Sequence, residues 1–218
     1  MKPAFVLCAL SVFLLVVGCD SSVPEREAAQ TAEAAARNVL QPGDRVPDFA
    51  FTNHEGKESS LAALRPRAVL ATFIFTRCTM AEFCPRMSAK FREMRNALDA
   101  TARRDGVELL SITLDPEHDT PAELAIYAKA LKATPGSWTF AQCQAPVLAT
   151  LKQQFGVRAE PAAPDGSIEH NLITALITPD GRLRKIWEGN RWGSAEVIAE
   201  LDAMEAAPVR TAANRTNR

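Results

Sequence analysis

A nearly continuous apolar run from Ala68 to Phe75 constrains this chain more than any other feature of its sequence. A short apolar run of this kind is typical of a β-strand that is buried on both faces of a sheet. Beyond the loop that follows, apolar side chains recur at helical spacing and predict a helix that packs back onto the strand. This helical stripe consists of Met87, Phe91, Met94 and Leu98. The chain is therefore expected to fold around a central strand followed by a helix.

The remaining apolar pattern predicts further strands and helices, including a hairpin whose turn is Pro179-Asp180-Gly181. The predicted strands lie at 107–114, 138–140, 171–177 and 183–187, and the predicted helices begin at Pro121, before Val147 and near Ser194. Strands and helices in this order predict an α/β fold in which right-handed crossovers restrict the topology. We expect a thioredoxin-like sandwich with a central mixed sheet flanked by helices.

The first eighteen residues have the pattern of a bacterial secretion signal. Lys2 precedes an apolar stretch from Ala4 to Val17, which is shorter than the roughly 20 residues that a membrane-spanning helix needs. Small residues directly before Cys19 resemble the lipobox of bacterial lipoproteins. We therefore expect residues 1–18 to be removed and Cys19 to be acylated.

This anchor divides the chain into segments with different expected roles. The lipoprotein signal peptide is 1–18, the lipid anchor and tether 19–41, the thioredoxin-like domain 42–206, and a flexible tail 207–218. Asp20 resembles a signal for retention at the inner membrane. We expect the protein to lie on the periplasmic face of the bacterial inner membrane, bound through its lipid.

The charge of the chain is nearly balanced, with 25 Lys and Arg against 26 Asp and Glu. No long basic run interrupts the sequence, and proteins that bind nucleic acid are usually strongly basic on one face. We therefore expect no nucleic-acid partner.

Two of the five cysteines, Cys78 and Cys84, lie close together directly after the predicted central strand. Two others lie within or next to the predicted signal peptide, and Cys143 has no neighbouring cysteine. Outside the cytoplasm such a pair forms a disulfide, a redox site or a metal site, and its spacing does not decide among them. Because Pro85 suits a first helical turn, we expect Cys84 near the helix N-cap, where free N–H groups would lower its pKa.

Several segments resemble the Sco/SenC family, the copper-binding thioredoxin-fold proteins that are associated with cytochrome c oxidase assembly. The matching segments are Gly43–Phe49, the cysteine loop ending Cys84-Pro85, Ile112–Pro121, His170 before the predicted hairpin, and Pro179–Arg182 within it. The most specific of them is the Asp-Pro-x-x-Asp-Thr-Pro run from Asp115 to Pro121. The resemblance covers most of residues 43–203.

The resemblance implies that Cys78, Cys84 and His170 bind copper, because two soft thiolates suit Cu(I) and an imidazole lets the site also hold Cu(II). It implies that the protein is not an enzyme but a metallochaperone. Such a protein delivers copper to the CuA centre of a haem-copper oxidase. The implied partners are the oxidase copper-site subunit and a periplasmic thiol reductant. The family loop usually has three residues between its cysteines and this one has five, so a different chelate ring is expected.

The same cysteines also fit two enzymatic functions, which the sequence leaves open. A thiol–disulfide oxidoreductase would use Cys78 and Cys84 as a redox-active pair, with a disulfide between them in the oxidised form. His170 would then be dispensable. A peroxiredoxin-like peroxidase would fit the opening Gly43–Phe49, although the usual Pro-x-x-x-Thr-x-x-Cys approach to the thiol is absent.

Three other residues have side chains that could bind metal. Met80 lies within the cysteine loop and could offer a thioether to Cu(I), but methionines more often pack or face solvent. His118 is expected at the surface of an acidic loop. His54 falls in a predicted hairpin turn, Asn53-His54-Glu55-Gly56, and is expected to be solvated.

Overall fold

The computed structural model describes residues 39–134 and 136–206, which contain seven β-strands and four α-helices. The predicted signal peptide, Cys19, most of the predicted tether and the predicted tail lie outside the described residues. Within the described ranges, no helix combines the length and the apolar character that crossing a membrane requires.

The strands and helices lie close to the positions that the apolar pattern predicts. The strands are β1 Ala50–Asn53, β2 Glu58–Ser60, β3 Ala68–Ile74, β4 Val107–Thr113, β5 Trp138–Gln142, β6 Ile173–Ile177 and β7 Leu183–Glu188. The helices are α1 Cys84–Ala100, α2 Pro121–Ala130, α3 Ala145–Phe155 and α4 Ser194–Ala206.

The strands form one mixed sheet in the order β2-β1-β5-β4-β3-β6-β7. Strands β3, β4 and β5 are parallel to one another, whereas β1 and β6 pair antiparallel to β5 and β3. Every residue of β3 and β4 is buried, as expected for central strands covered on both faces. The predicted α/β class with a central mixed sheet is confirmed.

The apolar stripe of α1 holds the start of this helix against the sheet. Met87, Phe91 and Met94 are fully buried and Leu98 is nearly so. Burial of side chains of this size contributes about 1.5–3 kcal/mol each. The first turn of α1 is thereby fixed next to the end of β3.

The antiparallel pairing of β3 with β6 explains how distant parts of the sequence meet. Thr72 near the end of β3 pairs with Thr174 at the start of β6. The residues that follow β3 and those that precede β6 therefore lie at the same edge of the sheet. Cys78 follows β3 and His170 precedes β6, so the topology alone places both at this edge.

The amino-terminal hairpin differs from the sequence analysis in one respect. Residues 53–56 form the predicted turn, between strands β1 and β2 that the apolar pattern did not reveal. The expectation that His54 is solvated is wrong, because its ring is buried and its Nδ1 accepts a hydrogen bond from Phe140 N–H at 3.1 Å. A polar residue in a turn was assumed to face water, and this turn folds back onto β5.

Candidate metal centre

The loop between β3 and α1 carries both cysteines. Two tight turns curl it, because Cys78 N–H donates to the Phe75 carbonyl at 3.5 Å and Phe83 N–H donates to the Met80 carbonyl at 2.9 Å. Cys78 consequently lies near enough to raise the pKa of the Cys84 thiol. The five residues between the cysteines are therefore curled and not extended.

Helix α1 begins at Cys84, with Phe83 as its N-cap and Pro85 in its first turn. Proline is tolerated there because the first N–H groups of a helix have no partner within the helix.

The expected lowering of the Cys84 pKa is wrong. Burial raises the pKa of this thiol, a hydrogen bond with the Phe75 backbone opposes that effect, and the neighbouring Cys78 raises the pKa further. Cys84 is therefore a protonated thiol at neutral pH in the metal-free protein.

Cys84 and His170 are brought together although 86 residues separate them. Cys84 Sγ lies 3.4 Å from His170 Nε2. Both residues are buried, with exposed fractions of 0% and 8%. A thiol and an imidazole thus face each other in a pocket that water reaches poorly.

The orientation of the His170 ring follows from its second nitrogen. Nδ1 lies 2.8 Å from the backbone carbonyl of Asn171, which can only accept a hydrogen bond, so Nδ1 carries the proton. The lone pair of Nε2 then points to the Cys84 sulfur. Burial lowers the pKa of His170, and the Asn171 hydrogen bond partly offsets this effect. The imidazole is consequently neutral at pH 7, with its lone pair available to a metal or to the thiol proton.

Two aromatic rings enclose the imidazole. The edge of His170 approaches Phe75 at 5.8 Å between ring centroids and Phe83 at 6.2 Å, with interplanar angles of 72° and 69°. Both phenylalanines belong to the loop that carries Cys78 and Cys84, so this loop supplies two ligand candidates and also the walls around the third. This apolar surrounding restricts rotation of the imidazole and excludes water from the Cys84–His170 pair.

His170 lies at the end of a hairpin-like loop, residues 159–170, whose two ends pair with each other. Ala159 and His170 form an antiparallel bridge, and Glu160 N–H donates to the Glu169 carbonyl at 2.9 Å. Asn171 continues this support, because its side-chain oxygen accepts from Arg158 N–H at 2.8 Å. The imidazole is therefore positioned by backbone pairing and not by its own ring contacts alone.

Cys78 is the more accessible of the two loop cysteines. It is partly buried, and its Sγ lies 3.9 Å from the Met80 carbonyl oxygen. It lines an open depression of about 640 Å³ together with Phe83, His170 and Asn171. A metal ion or a partner's thiol could therefore approach Cys78 from solvent.

The acidic run from Asp115 to Pro121 anchors the start of the cysteine loop. Asp119 is fully buried and accepts hydrogen bonds from Thr76 N–H at 3.0 Å, from the Thr76 hydroxyl and from the Thr113 hydroxyl. Asp115 forms an ion pair with Arg77 at 2.6 Å. Both carboxylates thus hold residues directly before Cys78. The Asp-Pro-x-x-Asp-Thr-Pro motif was the sequence signal for this role, but it did not reveal the partners.

The other candidate residues are not part of the Cys84–His170 pair. His118 has a side chain that is 37% exposed, and its Nδ1 lies 3.1 Å from Asp119. Cys143 is buried after β5, where burial raises its pKa to about 12. Asp115, His118 and Asp119 have donor atoms within 4.8 Å of one another, but hydrogen bonds to the cysteine loop already engage Asp119.

Cys78, Cys84 and Cys143 all carry free thiols. The predicted Cys78–Cys84 disulfide and the three-ligand metal site both remain predictions.

Comparison with known proteins shows which family has this arrangement of elements. The family model described as SCO1/SenC matches residues 38–205. The curated SCO1 protein homolog of Bacillus subtilis is 29% identical over 146 residues, which are 66% of this chain and 74% of that protein.

Two solved structures share the fold. One is BsSco, described as a member of the Sco family of cytochrome c oxidase assembly proteins in which a disulfide switch was identified. It is 27% identical, with a TM-score of 0.63 over 76% of this chain and 96% of BsSco. Bradyrhizobium japonicum ScoI with copper bound is 23% identical, with a TM-score of 0.61 over 75% of this chain and 99% of ScoI. These likenesses confirm the predicted thioredoxin-like fold.

Proposed function

We propose, from the premise that this chain belongs to the SCO1/SenC family, that it is a copper metallochaperone whose ligands are Cys78, Cys84 and His170. The observation that carries the proposal is the 3.4 Å approach of Cys84 Sγ to the unprotonated Nε2 of His170. A related family member has been solved with copper bound, which supports copper as the cargo. The cargo would pass to the CuA centre of a haem-copper oxidase by ligand exchange.

The donor set suits copper better than harder metals. Two thiolate sulfurs favour Cu(I), and the added imidazole also accommodates Cu(II). Cys84 is protonated in the metal-free protein, so binding must release its proton. The neutral His170 has no proton to lose from Nε2, and its lone pair becomes available to the metal once Cys84 has released the thiol proton that faces it.

The proposed location follows from the sequence ahead of the domain. The signal peptide at 1–18 and the acylated Cys19 would attach the protein to the periplasmic face of the inner membrane, with 19–41 as a tether. The domain 42–206 would then lie within reach of an oxidase subunit in the same membrane. Its partners would be that copper-site subunit and a periplasmic thiol reductant that keeps Cys78 and Cys84 reduced.

An anaerobic Cu(I) titration of the reduced protein in competition with a chelator tests the ligand set. We expect one equivalent of Cu(I) to bind, and His170→Ala to weaken binding at least about tenfold because one of three ligands is lost. His118→Ala is the matched control and should leave the affinity within about twofold. Absence of stoichiometric binding, or full affinity in His170→Ala, would contradict the three-ligand site.

A thiol–disulfide oxidoreductase is the second candidate, because Cys78 lies near enough to raise the pKa of Cys84 and a disulfide switch was identified in the related BsSco. In this function the two thiols lose two electrons and two protons to a partner disulfide, which becomes a dithiol. Reduction of a model disulfide should then be lost in both Cys78→Ser and Cys84→Ser and retained in His170→Ala. Retained copper binding with no such turnover would favour the metallochaperone.

A further inference from the structure

Met80 exposes an apolar side chain at the centre of the cysteine loop. Its exposed fraction is 55%, and within 39–134 and 136–206 only Ile126 is a comparably exposed large apolar side chain. Ile126 lies on α2, whereas Met80 lies between the two cysteines. A thioether is also the softest uncharged ligand that a protein side chain offers.

The backbone of Met80 lies next to the Cys78 thiol. The Met80 carbonyl accepts the hydrogen bond of Phe83 N–H at 2.9 Å, and Cys78 Sγ lies 3.9 Å from the same oxygen. The turn before α1 therefore holds the residue and the first thiol together. The backbone position of Met80 is therefore fixed by a hydrogen-bonded turn.

Met80 also borders both depressions that lead to the cysteines. It lines the depression of about 640 Å³ that contains His170, and the neighbouring one of about 380 Å³ that contains Thr79 and Ile168. Cys78 lines both depressions as well. Met80 and Cys78 therefore face the same two approaches from solvent.

Exposure decreases in one direction along the candidate ligands. Met80 is 55% exposed, Cys78 is partly buried, and the exposed fractions of Cys84 and His170 are 0% and 8%. A donor or acceptor protein that cannot enter the pocket would reach Met80 and Cys78 before the buried pair. An exposed soft ligand at this position would let Cu(I) pass between two proteins by ligand exchange before it reaches the buried pair.

We propose that the Met80 thioether is the outer ligand through which Cu(I) enters and leaves the site, a proposal that rests on the copper function above. Met80 accepts Cu(I) without releasing a proton, because a thioether has none to lose. Cys78 and then Cys84 form Cu–S bonds, each releasing its thiol proton to solvent, and the Met80–Cu bond breaks as His170 Nε2 completes the site. Copper remains Cu(I) throughout, and release follows the reverse order.

Met80→Leu tests this role, since leucine keeps the volume and apolar character but has no sulfur. The measurement is anaerobic stopped-flow exchange of Cu(I) with the small chelator bicinchoninate, so that no protein partner takes part. We expect loading and release to slow at least about fivefold each, while the equilibrium affinity changes less than about twofold. Met204→Leu, in α4, is the matched control and should leave both rates unchanged.

Selenomethionine-labelled protein provides a spectroscopic readout. In Cys84→Ser, Cu(I) cannot bind the inner thiolate and should remain on Met80 and Cys78. We therefore expect copper–selenium scattering in X-ray absorption for this variant, and its loss when Met80→Leu is added. Unchanged exchange rates together with no copper–selenium scattering would overturn the role of Met80 while leaving the copper function intact. Failure of the unmodified protein to bind Cu(I) would instead overturn the proposed function and this proposal with it.

Discussion

The guanidinium of Arg77 lies directly against the backbone of Gly166, so that a Cβ at position 166 would be 2.5 Å from Arg77 Nη1. Gly166 has a φ of +80° and lies near the tip of the loop that ends at His170. Arg77 also pairs with Asp115 at 2.6 Å. One side chain therefore links the cysteine loop, the acidic run and the loop that carries the candidate histidine ligand.

Gly166→Ala should destabilise the protein more than a substitution with the same backbone strain but no close neighbour. Gly189→Ala is that control, because Gly189 also has a φ of +80° and nothing within 4 Å of an added Cβ. We expect about 1–2 kcal/mol of loss for Gly189→Ala from φ alone. Gly166→Ala should lose about 1 kcal/mol more in urea unfolding, because Arg77 must leave the buried carboxylate of Asp115.

A double-mutant cycle with Arg77→Met separates the contact from the backbone strain. Without the guanidinium, Gly166→Ala should cost no more than Gly189→Ala. Equal losses for the two glycine variants in the unmodified protein would show that Arg77 moves aside freely, and would remove the linking role assigned to it.

The sequence predicted the central elements well because their signals are local. The apolar run at Ala68–Ile74 and the stripe beginning at Met87 each follow from one buried surface, and both elements lie where they were expected. The strands β1 and β2 were missed, since they are short and partly exposed and have no continuous apolar pattern. Only the turn between them carries a strong local signal.

The site was predictable in its residues but not in its electrostatics. Cys84 does begin a helix, but its burial is a property of the assembled sheet, α1 and the loop before His170, and burial reverses the expected direction of its pKa shift. The aromatic walls from Phe75 and Phe83 were not anticipated either. Their role depends on a contact with His170, which no spacing in the sequence encodes.

Asp119→Asn should destabilise the protein by about 2 kcal/mol. All three hydrogen bonds from Thr76 and Thr113 are donated to the carboxylate, so an amide NH₂ in its place would face a donor. Asp105→Asn is the matched control at an exposed position and should change the free energy of unfolding by less than about 0.5 kcal/mol. Equal urea midpoints for the two variants would show that Asp119 does not anchor the cysteine loop.

Alkylation of the reduced, metal-free protein should distinguish the thiols. Cys78 is partly exposed, whereas Cys84 and Cys143 are buried and have raised pKa values, which leaves little thiolate at either. With iodoacetamide at pH 8, we expect Cys78 to react at least about tenfold faster than the other two, as measured by mass spectrometry of the peptides. All three should react alike in guanidinium chloride. Preferential labelling of Cys84 would show that the helix N-terminus outweighs burial.

His54 should make the protein less stable in mild acid. Burial lowers its pKa in the folded state, with an opposing contribution from the charge of Glu55, whereas the unfolded chain has a value near 6.5. The unfolded state therefore binds the proton more readily. The stability that His54 contributes is fully present above about pH 6.5 and is lost as the pH falls through the folded-state pKa.

His54→Asn isolates this effect, because the asparagine oxygen can still accept from Phe140 N–H but does not titrate in this range. Urea unfolding between pH 7 and pH 5 should show a smaller fall in the free energy of unfolding for His54→Asn than for the unmodified protein. His118→Asn, at the more exposed histidine, should keep the fall that His54 causes. A parallel loss of stability in His54→Asn and the unmodified protein would contradict this prediction. It would show that protonation of His54 does not compete with its hydrogen bond to β5, and that the acid sensitivity comes from another group.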